Sequence, residues 1–152
     1  MAAEVLPSVI ADLRREYPAL KVELIATNRV QDLLRREADI AVRMTAPQQG
    51  ELVARRIGAV EIGFHAHEDY LAQHGVPRNK AELKQHALIG YDQQTEFLRN
   101  AGKVIPEFTR DSFSLRTDSD LVHMALIRAG AGIGICQVPL AMWGVSTTLD
   151  IA

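Results

Sequence analysis

The sequence lacks the features that mark a secreted or membrane-bound protein. Cys136 is its one cysteine, so no disulfide can form within the chain. No apolar run approaches the roughly 18 residues that a membrane-spanning helix needs, and the first residues form neither the basic nor the apolar part of a signal peptide. We therefore expect a cytoplasmic chain with no membrane partner.

An excess of charge of one sign is also missing. The 17 basic and 19 acidic residues are mixed along the chain and give a formal net charge of -2. A domain that binds DNA on its own is usually basic, so we expect no DNA binding from this chain alone. With 47% hydrophobic and 24% charged residues, the composition is that of a globular protein with one core or two small lobes.

Helical and strand-like patterns alternate in the first third of the sequence. Apolar residues recur every three or four positions from Val5 to Tyr17, which predicts an amphipathic helix that Pro18 ends. Lys21–Ala26 has the alternation of a strand, residues 30–34 predict a short helix, and Asp39–Arg43 predicts a short buried strand.

The alternation continues through the middle of the sequence. Residues 52–57 predict extended structure, and Val60–Ala66 alternates as a strand does. A helical turn from Asp69 ends at His74-Gly75, and a capping box at Asn79 and Glu82 predicts another short helix. Ala87–Tyr91 predicts the next strand.

The last third is less regular at first. Residues 92–112 are polar, with a weak strand predicted near Phe97 and Leu98. A strand from Phe113, a buried helix over Leu121–Ala129 and a strand over Ile133–Val138 follow, and Gly130, Gly132 and Pro139 separate or end them. The alternation of elements indicates an α/β protein with parallel strands.

Several short segments, taken in order, resemble the effector domain of LysR-type transcription regulators over residues 4 to 140. The segments are Leu6-Pro7, Tyr17-Pro18, Asp39–Arg43, Leu52–Gly58, Tyr70–Gly75 and Ala129–Ile135. Their shared order and spacing carry the resemblance, since many consistent signals outweigh one. It implies a type II periplasmic-binding-protein-like fold, in which two α/β lobes enclose a ligand cleft.

The resemblance also predicts the domain organisation. It implies a first lobe over residues 1–58, a second lobe over 59–140 and an atypical tail over 141–152. Compared with the family pattern, the helix-turn-helix, the linker helix and the first strand of the effector domain are absent, and Trp143–Ala152 does not resemble the return to the first lobe. We expect a chain truncated at both ends, with sheet edges exposed by the missing strand.

Candidate ligand contacts follow the predicted strands. Thr117, Asp118 and Ser119 lie where a strand meets a helix, so free N–H groups and hydroxyls there can bind an anion, although the same residues suit an ordinary helix cap. The resemblance places effector contacts at this position. Five more candidates follow strand ends in the first lobe: Thr27, Asn28, Arg43, Met44 and Thr45.

Arg43 and a further candidate, His65, also have alternative interpretations. The Arg43 guanidinium can pair bidentately with a carboxylate, but a solvated arginine would give the same sequence. His65 alternates onto the wet side of its strand, where it would either line the second lobe or lie on an ordinary surface.

Other kinds of chemistry are not indicated. His65 and His67 share a strand face but have no third ligand nearby, so we expect no metal. The Gly-rich segment 130–134 follows a helix and precedes a strand, the reverse of a dinucleotide-binding loop. Cys136 lies in an apolar strand and should be an inert buried thiol. No nucleophile elbow or P-loop occurs, so we expect neither a cofactor nor catalysis.

The resemblance implies a non-catalytic module that senses a small-molecule effector, with a carboxylate as a candidate, and regulates transcription through a DNA-binding domain outside this chain. It also implies a homodimer formed through Val5–Ala26. Three alternatives stay open: a solute-binding receptor, which would need export; a cytosolic enzyme on the same fold; and a pure interaction fragment.

Overall fold

The structure is a computed structural model that describes residues 3–27, 38–44, 53–93, 109–141, 146–149 and 151. The chain divides into two compact units, residues 1–22 with 60–152 and residues 23–59. The described elements are α1 Leu6–Glu16, β1 Ile62–His67, α2 Glu68–His74, α3 Lys80–Leu83, β2 Leu88–Gly90, a 3₁₀ turn Arg110–Ser112, β3 Leu115–Arg116, α4 Asp120–Arg128, β4 Ile133–Gln137, α5 Val138–Ala141 and β5 Ser146–Leu149. The predicted lobe boundaries 1–58, 59–140 and 141–152 stay predictions.

The first helix forms where the apolar periodicity predicts it. Val5 precedes α1, and the Tyr17 N–H closes the helix on the Leu13 carbonyl. None of the residues of α1 is buried, and the exposed fraction is 53% for Val9, 39% for Leu13 and 53% for Tyr17. The helix therefore presents much of its apolar face uncovered by the described residues.

A five-stranded sheet organises the larger unit, in the order β3-β2-β4-β1-β5. β2 runs parallel to β3 and β4, whereas β1 runs antiparallel to β4 and β5. The prediction of parallel strands is thus confirmed for β2, β3 and β4 and is wrong for β1. Local alternation carries no information on strand direction, which for β1 follows from its pairing with β4 and β5, two segments distant in sequence.

Local capping agrees with the sequence around α2 and α3. The α2 helix ends at Gly75, whose φ of 85° favours glycine. At the start of α3, the Asn79 side chain accepts a hydrogen bond of 2.9 Å from the Glu82 N–H. The Glu82 carboxylate accepts in turn from the Arg78 N–H at 2.8 Å. The predicted capping box therefore forms, but Glu82 accepts from the backbone amide before Asn79 instead of from the backbone amide of Asn79.

Both faces of the sheet are covered. On one face α2 and α3 pack over a core of Ala66, Tyr70, Leu71, Leu83, Leu88, Phe113, Ile133 and Leu149. On the other face α4 and α5 pack over Ile89, Met124, Ile127, Cys136 and Leu140. Gly134 lies under α4, where an added Cβ would come within 2.8 Å of His123 Nε2, so the absence of a side chain permits the close approach of the helix.

Strands predicted in the first part of the chain are not formed. Lys21–Ala26 and Asp39–Arg43 contain no strand, and those two predictions are wrong. Leu24, Ile40 and Val42 have 44%, 84% and 48% of their surface exposed. Alternation alone does not make a strand, because the backbone also needs a hydrogen-bonded neighbour. The predicted helix at 30–34 and the weak strand near Phe97 and Leu98 lie outside the described residues.

The end of the chain contributes two elements that the sequence analysis missed. Val138, predicted to end a strand, starts α5 instead and donates its N–H to the Glu61 carbonyl at 2.9 Å. Pro139 fits there because a proline in the first helical turn gives up no intrahelical hydrogen bond. β5 pairs with β1 between Phe64 and Leu149, so part of the predicted atypical tail belongs to the sheet.

Across the described ranges, every helix is too short or too polar to cross a membrane.

Candidate functional site

The parallel pairing of β2 with β3 brings polar residues from two segments of the chain to one edge of the sheet. The sequence predicted a ligand site in only one of these segments. β2 and β3 are parallel, so their carboxyl ends lie side by side, and the Thr117 N–H donates to the Gly90 carbonyl at 3.0 Å. Residues 91–93 follow β2, and residues 117–120 lead from β3 into α4. We call these two segments together the β2–β3 edge.

Asp118 joins the two segments of the edge. Its Oδ1 accepts hydrogen bonds from the Asp92 N–H at 3.0 Å and the Gln93 N–H at 2.9 Å. A carboxylate that accepts two backbone hydrogen bonds is held in one orientation. Asp118 therefore connects the two segments of the edge, and its role as an effector contact stays a prediction.

The hydroxyls of Thr117 and Ser119 have capping roles. Thr117 Oγ1 accepts from the Ser119 N–H at 3.2 Å, and Ser119 Oγ accepts from the Val122 N–H at 3.4 Å as the N-cap of α4. Each hydroxyl can still donate its own hydrogen. The edge thus offers two positioned hydroxyl donors beside the positive end of a nine-residue helix.

Tyr91 and His123 form an aromatic pair that the sequence analysis missed. Their rings are stacked with centroids 5.0 Å apart and planes 5° apart, and the Tyr91 hydroxyl donates to Asp120 Oδ1 at 3.0 Å. Burial raises the pKa of Tyr91, and the Asp120 carboxylate raises it further. One feature of the sequence could have indicated this pair: His123 is a titratable residue within an otherwise apolar helical segment.

His123 is buried without an ordinary hydrogen bond. Only 2% of its surface is exposed, and neither ring nitrogen has a hydrogen-bond partner of good geometry among the described residues. Burial lowers the pKa of His123, while Asp120 and the Ile135 backbone act in the opposite direction. The imidazole is therefore neutral at pH 7.

Two arginines offset the acidic character of the edge. Arg110 Nη2 lies 2.6 Å and Arg116 Nε 3.5 Å from the same carboxylate oxygen, Asp92 Oδ1. All three side chains are at least one-third exposed, so these pairs add little stability. Both arginines thus pair with Asp92, one of the three carboxylates at the edge, and the other two, on Asp118 and Asp120, are engaged by backbone amides and by Tyr91.

His65 is not on a wet face, and that expectation is wrong. Its exposed fraction is 0% because β1 is covered on both faces. His65 Nδ1 lies 3.3 Å from Thr148 Oγ1, while Nε2 has no partner within the described ranges. Burial lowers the pKa of His65. A role for His65 in ligand binding stays a prediction.

The first-lobe candidates are only partly described. Thr27, Arg43 and Met44 are exposed, with an exposed fraction of 50% for Met44. Asn28 and Thr45 lie outside the described residues. Because Thr27, Arg43 and Met44 belong to the unit of residues 23–59, their roles as effector contacts stay predictions.

The sequence also led to predictions about a metal site, the Gly-rich segment 130–134 and the Cys136 thiol. The described residues contain no group of three or more His, Cys, Asp or Glu that could hold a metal ion. Gly130, with φ 69°, follows the last turn of α4, so the Gly-rich segment ends a helix as predicted. Cys136 is buried, and burial raises the pKa of its thiol to about 11, which keeps it protonated and unreactive.

The family profile described as "LysR substrate binding domain" matches residues 1–143. The chain belongs to this family. Among curated relatives, the HTH-type transcriptional activator AaeR of Escherichia coli K12 is 32% identical over 150 residues, which cover 96% of this chain and 47% of the relative. An uncharacterized HTH-type transcriptional regulator of Haemophilus influenzae is 27% identical over 139 residues, 91% of this chain and 47% of the relative. This LysR domain therefore spans about half the length of these relatives.

Solved structures show the same fold. The regulatory domain of CrgA, a LysR-type transcriptional regulator from Neisseria meningitidis, superposes with a TM-score of 0.82 at 21% identity and covers 98% of this chain and 76% of that chain. The effector domain of AmpR from Pseudomonas aeruginosa has a TM-score of 0.70 at 16% identity and covers 96% and 72%. The expected α/β fold of LysR regulatory domains, which is type II periplasmic-binding-protein-like, is confirmed.

Proposed function

We propose that this LysR substrate-binding domain binds a small-molecule effector at the β2–β3 edge through Thr117 and Ser119. The observation that carries the proposal is the Asp118 bridge, which holds residues 92 and 93 and the start of α4 together at the carboxyl ends of two parallel strands. Open α/β sheets bind ligands at such ends. The two hydroxyls and the first-turn amides of α4 are the binding groups.

A carboxylate is the effector chemistry that we propose. The start of α4 and the Thr117 and Ser119 hydroxyls favour negative charge, and the three carboxylates of the edge are already held by amides, Tyr91 or arginines. Arg43, at the end of the segment predicted as a strand in the unit of residues 23–59, stays a separate candidate for pairing with a carboxylate.

Nuclear magnetic resonance of the labelled chain tests the site with benzoate as a probe and benzamide as an uncharged analogue of the same shape. We expect saturable shifts of the amides of residues 117–121 with benzoate and weaker ones with benzamide. Shifts that avoid these residues would mean that the site is misplaced, and equal responses to both compounds would contradict the carboxylate assignment.

The roles of Arg43 and Ser119 can be compared by substitution. Ser119→Ala removes one neutral hydrogen bond, for which a loss of about 0.5–1.5 kcal/mol is expected, whereas Arg43→Ala removes a charged partner at about 1.5–3 kcal/mol. Calorimetric titration of a complete regulator built around this segment, with its true effector, measures both. Unchanged affinity in both variants would place the pocket elsewhere.

We further propose that the domain is non-catalytic, acts in the cytoplasm and regulates transcription through a helix-turn-helix domain in the whole protein. The names of the relatives as HTH-type transcriptional regulators support this proposal. The purified chain, with a formal net charge of -2, should not slow the migration of duplex DNA in a gel in a sequence-selective way. Such a shift would contradict the proposal that a separate helix-turn-helix domain binds the DNA.

Homodimerisation through Val5–Ala26 is the final part of the proposal. The exposed apolar face of α1, with Val9, Leu13 and Tyr17, supports it, because large exposed apolar patches often mark interaction surfaces. Leu13→Glu should shift the sedimentation coefficient toward a monomer, while Arg14→Glu, outside the apolar stripe, should not. A strict monomer before any substitution would contradict the dimer.

A further inference from the structure

A buried histidine lies directly behind the β2–β3 edge, and its ring nitrogens have no hydrogen-bond partner among the described residues. His123 is one helical turn beyond Ser119 in α4, and only 2% of its surface is exposed. Its ring is held between Tyr91, stacked at 5.0 Å, and Gly134 of β4. Neither ring nitrogen is satisfied by an ordinary hydrogen bond to the described residues.

Buried polar groups in folded proteins are nearly always hydrogen-bonded, so each exception calls for an explanation. Packing of the neutral ring is one part of it, because Tyr91, which follows β2, and Gly134 of β4 both lie close to the His123 ring. It does not explain why a titratable ring occupies this position of α4, where an apolar residue would leave no unsatisfied nitrogen.

The ionisable groups that face His123 come from four elements. Asp120 lies one turn earlier on α4, and Tyr91 follows β2. His65 of β1 is paired with Gly134, beneath the ring of His123, and Cys136 belongs to the core on this face of the sheet. Asp120 supplies the one carboxyl group of this set, and its Oδ1 already accepts from Tyr91.

Asp120 lies three residues before His123 on α4, the spacing at which helical side chains are neighbours, so a protonated His123 would compete with Tyr91 for its carboxylate. When His123 is neutral, the Tyr91 hydroxyl donates to the carboxylate at 3.0 Å. When His123 gains a proton, its ring carries a positive charge and a new N–H donor, and a charge-assisted hydrogen bond is about twice as strong as a neutral one. The carboxylate can then accept from the imidazolium, which releases the Tyr91 hydroxyl toward the edge.

We propose that Tyr91, Asp120 and His123 form a proton-driven switch in which protonated His123 replaces Tyr91 as the hydrogen-bond donor to Asp120. His123 is a positioning residue here, because it acts on the edge through Tyr91. The effect of the switch on effector affinity rests on the proposed function. At acidic pH, Tyr91 has a hydroxyl donor free for a ligand and protonated His123 adds positive charge behind the edge. A carboxylate should then bind more tightly.

Nuclear magnetic resonance of the free chain tests the switch without any ligand. The chain has three tyrosines and five histidines, so ¹³C labelling of both residue types gives few resonances to assign. Between pH 8 and 5, the Tyr91 ring and the His123 ring should titrate with one shared midpoint below about 6.5. Independent behaviour of the two rings would overturn the switch.

Two substitutions move the midpoint in opposite directions. Tyr91→Phe leaves Asp120 without its present donor, so the midpoint of His123 should rise. Asp120→Asn removes the carboxylate, so the midpoint should fall by about 1 pKa unit. A midpoint of His123 that Tyr91→Phe leaves unchanged would overturn the proposal, and this variant decides alone if Asp120→Asn does not fold.

Tyr70→Phe is the matched control. The Tyr70 hydroxyl lies 3.3 Å from His86 Nδ1 and accepts from the Ala87 N–H, so its loss should affect His86 and leave the midpoint of His123 in place. A general effect of losing a tyrosine hydroxyl would instead move His123 in both variants and overturn the proposal.

Benzoate binding at two pH values separates the switch from the site. Benzoate should bind more tightly at pH 6 than at pH 7.5 in the wild-type chain and show a smaller difference in His123→Gln. An equal difference in both chains would overturn the link between the switch and the edge. No benzoate binding at either pH would count against the proposed carboxylate effector, while the titration of the free chain would still decide the switch.

Discussion

Arg128, the last residue of α4, donates a hydrogen bond of 2.8 Å from Nη1 to Oε1 of Glu4, two residues before α1. The side chains are 32% and 26% exposed. The hydrogen bond and the charge of Arg128 lower the pKa of the Glu4 carboxyl. This ion pair joins the start of the chain to the helix that begins at the β2–β3 edge.

Loss of the Glu4–Arg128 ion pair should lower the free energy of unfolding. Glu4→Gln should reduce it by about 0.5–1 kcal/mol at pH 7, the range for a partly exposed pair. Because the pKa of Glu4 is lowered on folding, the contribution is present above the ordinary value of 4.5 and is lost as pH falls below it. Urea unfolding at pH 7 and pH 3.5 measures it. Glu16→Gln, in the last turn of α1, is the control, and equal losses in both variants would contradict the assignment.

Gly134→Ala should destabilise the larger unit by overpacking. The new Cβ would lie 2.7 Å from Ile127 Cδ1 and 2.8 Å from His123 Nε2, so α4 must shift. Extra methylenes in a packed core typically cost about 1–3 kcal/mol. Gly58→Ala is the control, since nothing lies within 4 Å of a Cβ there. Similar urea midpoints for Gly134→Ala and the wild type would show that α4 packs less closely than described.

The buried histidines should make the fold sensitive to mild acid. Burial lowers the pKa of His65 and of His123 below the ordinary value of 6.5. The unfolded chain then binds more protons than the folded one, so stability is fully present above about pH 6.5 and falls as pH decreases toward the folded pKa values, by about 1.4 kcal/mol per pH unit for each histidine.

Unfolding free energies at pH 7.5, 6.5 and 5.5 measure this effect. His65→Gln should reduce the slope between pH 6.5 and 5.5, and His74→Gln, at an exposed site at the end of α2, is the control for the loss of an imidazole. A slope that both variants leave as steep as in the wild type would assign the acid sensitivity to other groups.

Ser119 should contribute to stability as the cap of α4. Ser119→Ala removes the acceptor of the Val122 N–H and should lower the free energy of unfolding by about 1 kcal/mol. Ser119→Asn keeps an acceptor in the cap position and should restore most of the loss. Thermal unfolding followed by circular dichroism compares the three chains, and an Asn variant as unstable as the Ala variant would argue against capping.

Helices and their ends were the most predictable features of the fold. The periodicity from Val5 to Tyr17, the stop at Gly75 and the cap at Asn79 are local properties, and all three appear in the structure. Strand direction was not predictable in the same way. The antiparallel course of β1 depends on its pairing with β4 and β5, which are distant in sequence.

The candidate site was predictable where a local rule applied. Thr117 and Ser119 follow a strand and start a helix, and the structure places them there. The stacking of Tyr91 on His123 was not predictable, because the partners belong to different elements. The burial of His65 was missed because alternation on β1 indicates a wet face only where no helix covers it.

The position of β1 in the sheet has a consequence for the order of folding. β1 lies between β4 and β5 and has no pairing with β2, its neighbour in sequence. During synthesis, Ile62–His67 therefore leaves the ribosome long before Ile133–Gln137 and Ser146–Leu149, its two partners. Contacts between distant segments form slowly, because the closure of a long loop precedes any gain from pairing. One side of β1 therefore lacks its native partner strand until Ser146–Leu149 has been synthesised, even after β4 has been made.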